Sequence, residues 1–151
     1  MRSLFLSLLL IFLASPNCFA VLGQRVDSVE SDRQSFQAKS LTVSNQSLYN
    51  VHEIQNDTTK IREISDKNGV VFAVIWDGQI HPDFSNLFGN YFKDYIAAMK
   101  ERKKKMHFRT HSSRLQTENL VVIQSGHMKS MHGRAYVPAL VPKGVNVDEI
   151  Q

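Results

Sequence analysis

Apolar positions in the middle of the chain follow two different periods. Residues 70–76 form an unbroken apolar run, which is typical of a strand covered on both faces. After Pro82 the spacing predicts an amphipathic helix over residues 84–99, with Asp83 as its N-cap. Its apolar positions are Phe84, Leu87, Phe88, Tyr91, Phe92, Tyr95, Ile96 and Met99. We expect this stripe to pack on the strand and to form most of the core.

Shorter strand patterns precede and follow this unit. They predict strands over residues 48–55, 59–64, 106–110, 120–124 and 128–137. The sequence of residues 66–69 predicts a hairpin turn because Gly69 accepts a positive φ, and Ser125 with Gly126 predicts a second turn. The fold class is therefore α+β, with an antiparallel sheet of five to six short strands. A three-strand meander comes first, then the long helix on one face, then the C-terminal strands.

The first twenty residues have the three-part layout of a secretory signal. Arg2 supplies the positive charge, and the apolar run over residues 4–14 is about half as long as a membrane-spanning helix. Cleavage is expected after Ala20, which would export the chain to the periplasm or outside the cell. Lipid attachment at Cys18 is disfavoured because residues 15–17 lack the small apolar spacing typical of such sites. Cys18 is the only cysteine, so the processed chain would contain no disulfide and no thiolate metal site.

The remaining sequence divides into three parts. Residues 21–47 form a polar segment, with a short helix predicted over residues 28–38 and a loop over residues 40–47. Residues 48–142 are expected to form a single α+β domain, and residues 143–151 are expected to form a tail that lies against its surface. No transmembrane segment is expected after residue 20.

The formal net charge of +4 is concentrated after the predicted helix. The basic residues at this helix end are Arg102, Lys103, Lys104 and Lys105. They suit a solvated helix end, where cations complement the helix dipole, and they also suit contact with an anionic envelope surface. Nucleic-acid binding is not expected, because the chain carries an export signal and the helix aromatics fall on the buried stripe.

One short segment contains residues that suit a soft metal. Its candidate ligands are His127, Met128, Met131 and His132, and two imidazoles with two thioethers suit Cu(I). On a continuous strand the two histidines point to opposite faces, as do the two methionines, so a shared site needs a bulge or a turn. No other cofactor is implied.

Anion binding is an alternative role for the same region. Arg134 and Tyr136 alternate with apolar residues, so both side chains should project from one face. With His127 and His132 they form the candidate ligand-binding set. An ion pair between Arg134 and Glu53 or Glu63 across the sheet is a simpler explanation for this arginine.

A hydrolase is a further hypothesis. Ser125 and His127 lie close in sequence, and Glu118 or Asp77 would supply the acid of a triad. The Gly-x-Ser-x-Gly nucleophile turn is absent, which disfavours an enzyme.

Several phrases of the sequence resemble one family of secreted bacterial proteins, catalogued as domain of unknown function 2844. They are Val51-His52-Glu53-Ile54, Gly69-Val70-Val71-Phe72-Ala73-Val74 with Trp76, Pro82-Asp83-Phe84, Leu87-Phe88-Gly89, Tyr91-Phe92, Gly126-His127-Met128, His132-Gly133-Arg134-Ala135-Tyr136-Val137-Pro138-Ala139-Leu140 and Asp148-Glu149-Ile150. The resemblance implies an exported bacterial protein and implies no activity. We therefore expect a non-catalytic protein of the cell envelope that binds a partner or ligand through a sheet edge or the face opposite the helix.

Overall fold

The computed structural model describes residues 22–26, 40–105 and 112–150. Its strands are β1 (Ser40–Asn45), β2 (Asn50–Gln55), β3 (Thr59–Ser65), β4 (Val71–Gly78), β5 (Ser112–Gln116), β6 (Val121–His127) and β7 (Ser130–Tyr136). They form one antiparallel sheet in the order β1-β2-β3-β4-β7-β6-β5. Two helices, α1 (Phe84–Phe88) and α2 (Phe92–Lys105), are joined by the 3-10 turn Gly89–Tyr91. The expected α+β class is confirmed.

Strand β4 occupies the middle of the sheet, as its unbroken apolar run predicted. Residues 71–76 are all buried. The hairpin before β4 is closed by Asp66, whose Oδ1 accepts hydrogen bonds from the backbone N–H groups of Asn68 at 2.9 Å and Val70 at 2.8 Å. Gly69 adopts a φ of +83°, so the predicted turn is confirmed.

The helices pack on one face of the sheet through their aromatic stripe. Asp83 caps α1 by accepting a hydrogen bond from the Ser85 N–H at 2.9 Å. The rings of Trp76 and Phe84 meet edge to face with centroids 5.1 Å apart, and Phe88 stacks on Phe84 at 5.0 Å. Trp76 and Phe88 are fully buried. The predicted core between strand and helix is therefore confirmed.

The C-terminal segment packs on part of the opposite face. After the 3-10 turn Pro138–Leu140 the chain returns over the sheet, and a second such turn spans Val147–Glu149. Val147 and Ile150 are buried against Phe72 and Ile75 of β4. The tail thus lies against the surface, as expected, and leaves the polar part of this face uncovered.

The sheet is wider than predicted. Residues 40–47 were expected to form a loop, but Ser40–Asn45 pair with β2 as strand β1. Strand β5 was not predicted either. Leu41 and Val43 alternate with polar residues in β1, but the many Ser, Thr, Asn and Gln residues around them favoured a loop, and β5 contains Leu115 as its only apolar residue. The sheet consequently has seven described strands rather than five or six.

The turn predicted at Ser125 and Gly126 is wrong. Strand β6 continues through both residues, and the chain reverses at Met128 and Lys129, where Lys129 takes a φ of 64°. The predicted N-terminal signal, the helix over residues 28–38 and the strand over residues 106–110 lie outside the described residues. Where the chain is described, no helix has the length and apolar character needed to cross a bilayer.

Candidate functional site

Two neighbouring rows of largely polar side chains cross the sheet face that points away from the helices. The strand register places the members of each row opposite one another on successive strands. One row holds Gln55, Lys60, Asp77, His132 and Ser125, and the other holds Glu53, Arg62, Ile75, Arg134 and Ile123. Together with Ser130, which lies two residues before His132 on the same strand face, we call these side chains the polar strip.

Asp77, His132 and Ser130 form a continuous chain of hydrogen bonds on the polar strip. Nδ1 of His132 lies 2.6 Å from Oδ1 of Asp77, and Nε2 of the same ring lies 2.9 Å from Oγ of Ser130. An imidazole that donates its Nδ1–H to the carboxylate carries a lone pair on Nε2. His132 can therefore accept the hydrogen of the Ser130 hydroxyl. We call these three residues the relay.

Arg62 holds the other oxygen of the relay carboxylate. Its Nη2 donates to Oδ2 of Asp77 at 2.8 Å. Burial alone would raise the pKa of Asp77, but hydrogen bonds from His132 and Arg62 and the positive charge of Arg62 outweigh it, so this pKa lies below its usual 3.8. Within the described structure, Nε of Arg62 is buried without a hydrogen-bond partner. Such an unsatisfied donor costs about 1–3 kcal/mol unless water or a ligand accepts its hydrogen.

A cleft of about 210 Å³, which we call the arginine cleft, lies over the polar strip. Its lining includes Arg62, Arg134, His132, Ser125 and the apolar side chains of Ile75, Ile123 and Ile150. Nη1 of Arg134 donates to the Val147 carbonyl oxygen at 3.0 Å and lies 3.3 Å from Oδ1 of Asp148. Because the Asp148 side chain is 66% exposed, this ion pair is weak. A guanidinium has further N–H donors, so Arg134 retains capacity for another acceptor.

A second cleft of about 320 Å³ lies next to the first, and we call it the lysine cleft. It is lined by all three relay residues and by Lys60 and Lys129, among others. Lys60 also forms an ion pair of 3.1 Å with Glu53. Asp77 and His132 line both clefts, so the two clefts meet at the relay.

Comparison with known proteins assigns the chain to a family but assigns no activity to it. Residues 18–150 match the family described as protein of unknown function (DUF2844). The chain belongs to the DUF2844 family. No curated protein and no solved structure matches it significantly. The resemblance noted in the sequence is confirmed, and the function of this DUF2844 protein has to be argued from its own site.

The candidate ligand-binding set of the DUF2844 chain shares one sheet face but not one site. His132 and Arg134 both line the arginine cleft. Tyr136 packs instead with the apolar cluster beneath the C-terminal segment. His127 stands at the exposed end of the hairpin, with Nδ1 3.5 Å from the Met128 carbonyl oxygen. The cleft therefore brings together two members of the predicted set.

The predicted partner of Arg134 is wrong. Neither Glu53 nor Glu63 pairs with it. The C-terminal segment provides its partners instead, because this segment folds back over β7 and brings Asp148 to the guanidinium. The sequence gives no sign that the C-terminal segment folds back over β7.

The four candidate metal ligands do not converge. His127 and His132 share a face, contrary to the expectation for a continuous strand, because the chain reverses between them. Met131 lies on the other face, and Met128 is 90% exposed at the turn. Both ring nitrogens of His132 already have hydrogen-bond partners. Among the described residues, no cluster of three or more histidine, cysteine or acidic side chains is placed to hold a metal ion.

The residues of the hydrolase hypothesis are arranged differently from the prediction. Ser125 is the register partner of His132. The described residues contain no hydrogen bond between Ser125 and His127. The serine that bonds His132 is Ser130, which sequence reasoning did not single out. The available signal was a Ser-x-His pair within the predicted strand over residues 128–137, which places both side chains on one face.

The basic helix end lies on the opposite side of the sheet from the polar strip. Arg102, Lys103 and Lys104 belong to the last turns of α2, and the side chain of Lys105 lies outside the described structure. Nζ of Lys104 pairs with Oε1 of Glu101 at 2.7 Å, between two largely exposed side chains. Contact of this end with an anionic surface stays a hypothesis, separate from the clefts.

Proposed function

We propose that this protein is an exported protein of the cell envelope that binds a small ligand with an anionic group in the arginine cleft. The observation that carries the proposal is the presence of two guanidinium groups beside apolar side chains in one concave site. Arginine suits carboxylate and phosphate groups because its planar fork donates two parallel hydrogen bonds. Export is supported by the layout of residues 1–20.

The remaining donors of Arg134 favour an anionic group. Both contacts given above for Arg134 use Nη1 alone. A ligand carboxylate or phosphate would accept from Arg134 and would compete with the exposed Asp148 for it. Arg62 stays held by Asp77, so the arginine that is free to exchange partners is Arg134.

The shape of the cleft favours a short ligand. Its volume of about 210 Å³ lies below the range of roughly 300–1,000 Å³ that is common for drug-sized ligands. Ile75, Ile123 and Ile150 give it an apolar side, so a small anionic group with a short apolar part fits best. Phenyl phosphate has both features and serves as a probe, with inorganic phosphate as the comparison.

The proposal is tested by calorimetric titration of the purified protein with phenyl phosphate. We expect saturable binding that is tighter than binding of inorganic phosphate. Arg134→Gln should weaken it by about 10-fold or more, since a hydrogen bond to a charged group contributes about 1.5–3 kcal/mol. Asp148→Asn should tighten it, because that change removes the competing carboxylate.

Lys103→Gln is the matched control for overall charge. It removes one exposed cation from α2 on the other side of the sheet, so it should leave the affinity unchanged. Absence of saturable binding, or equal binding by Arg134→Gln and the wild type, would contradict the proposal. A loss caused by Lys103→Gln would instead place the anion at the basic helix end.

A further inference from the structure

Anion binding at Arg134 does not involve the hydroxyl of Ser130. In the relay, this hydroxyl is hydrogen-bonded to the imidazole of His132. Oγ of Ser130 lies 2.9 Å from Nε2 of His132, and Nδ1 of His132 lies 2.6 Å from Asp77. Hydrogen-bond reach between nucleophile and base, with a third group that orients the base, is the arrangement that activates serine. Ser130 is half-buried and lines the lysine cleft, so a substrate can reach it.

We propose that Ser130 is a nucleophile that takes the acyl group of an ester, with His132 as its general base and acid. Asp77 is a positioning residue that fixes the ring. The substrate class rests on the proposed function: the acyl part carries an anionic group that Arg134 holds in the arginine cleft. Since the two clefts meet at the relay, an ester bound in this way extends from Arg134 toward Ser130.

The reaction balances with the ester and water alone. Oγ of Ser130 attacks the carbonyl carbon, and its proton passes to Nε2 of His132. The bond to the alcohol oxygen then breaks, and the alcohol leaves with that proton. Water next gives a proton to Nε2 of His132 and adds to the carbonyl carbon of the acyl-serine. The bond between that carbon and Oγ then breaks, His132 returns its proton to Oγ, and the carboxylic acid leaves.

Two lysines line the cleft that contains Ser130. They are Lys60 and Lys129 of the lysine cleft. Cations that already stand beside a developing oxyanion stabilise the transition state more than the ground state. These lysines therefore supply the electrostatic part of the site.

Labelling with a neutral fluorophosphonate tests the nucleophile independently of anion binding. Mass spectrometry of the labelled protein should find one adduct, on Ser130, and Ser130→Ala should abolish it. Ser44→Ala is the matched control, because it removes an exposed hydroxyl from β1 at the far end of the same sheet, and it should label like the wild type. Absence of an adduct from folded wild-type protein, or an adduct on Ser125 instead, overturns the proposal.

The role of Asp77 is tested by the rate of labelling in a disruptive variant and in a conservative variant. Asp77→Asn should slow labelling by about 100-fold or more, since an amide no longer holds the imidazole in the productive tautomer. Asp77→Glu, which keeps a carboxylate, should recover part of the labelling rate. A rate in Asp77→Glu as low as that in Asp77→Asn would mean that Asp77 is only structural.

Ester hydrolysis tests the substrate class. The mono-p-nitrophenyl ester of succinate should be cleaved with a higher kcat/KM than p-nitrophenyl acetate, and Arg134→Gln should reduce this advantage by about 10-fold. Labelling of Ser130 without phenyl phosphate binding would sustain the nucleophile and reject the anion site. Binding without labelling would sustain the anion site and reject the nucleophile.

Discussion

Asp77 contacts two different strands through its two carboxylate oxygens, one bonded to His132 and the other to Arg62. The sequence allowed Asp77 as an acid and selected His132 and Arg134. It could not select Arg62, because the contact of Arg62 with Asp77 depends on register between β3 and β4. Register is set by turns and bulges that lie outside the residues in question. For single residues, the kinds of side chain that form the site were therefore predictable, but their hydrogen-bond and ion-pair partners were not.

His52 gives a prediction about pH. It is buried, with Nε2 3.2 Å from Oγ of Ser65, and burial lowers its pKa below the usual 6.5. At pH values near and below 6.5, the His52 ring therefore binds a proton more readily in the unfolded chain than in the folded chain. Stability from neutral His52 is therefore full above the unfolded pKa and is lost as the pH falls through the folded pKa.

Urea unfolding at about pH 7.5 and about pH 5 measures this effect. The wild type should lose more stability on acidification than His52→Gln does. His127→Gln, which changes an exposed ring, should behave like the wild type. Equal losses in the wild type and His52→Gln would contradict the assignment.

At the scale of elements, apolar periodicity decided what was predictable. Strand β4 and the helical stripe carry strong patterns and were found, including the Asp83 cap. Strands β1 and β5 consist mainly of polar residues and were missed. The β6–β7 turn was misplaced because glycine is the residue typical of turns, and Gly126 lies within β6, whereas the true reversal contains Lys129 with a φ of 64°. Glycine is usually found in turns, and here it lies inside a strand while a lysine occupies the turn.

The substitution Gly89→Ala tests whether the backbone conformation of Gly89 separates α1 from α2. Gly89 has a φ of 46° and a ψ of −116°, which an L-residue adopts at a cost of about 1–3 kcal/mol. We expect chemical denaturation to show a loss of that size. Ala97→Gly in the exposed interior of α2 is the comparison, with an expected loss of about 1 kcal/mol. A gain in stability from Gly89→Ala would indicate one continuous helix instead.

At the scale of the whole molecule, the two sheet faces are covered by different parts of the chain. The helices cover one face, which the sequence predicted from their aromatic stripe. The C-terminal segment covers part of the other face through Val147 and Ile150 and provides one side of the arginine cleft. The sequence predicted that the tail contacts the surface. It did not predict which strand the tail contacts, because the few apolar residues of the tail could pack on many apolar surfaces equally well.

The energetic weight of this C-terminal cover is tested by a pair of substitutions. Ile150→Ala should lower the free energy of unfolding by about 2 kcal/mol or more, because it removes a buried side chain that packs on β4. Asp148→Asn should cost less than about 1 kcal/mol, because its ion pair is exposed. Equal effects of the two substitutions in urea unfolding would show that the tail is held by charge rather than by packing.

If the polar strip is the binding face of the molecule, a ligand should perturb its residues and leave the helices unchanged. Heteronuclear NMR of isotope-labelled protein titrated with phenyl phosphate tests this, since every amide reports its own environment. We expect saturable shifts concentrated at Arg62, at His132 and Arg134, and at Val147 and Asp148 of the tail. Shifts concentrated at residues 102–104 of α2, or no saturable shifts at all, would contradict it.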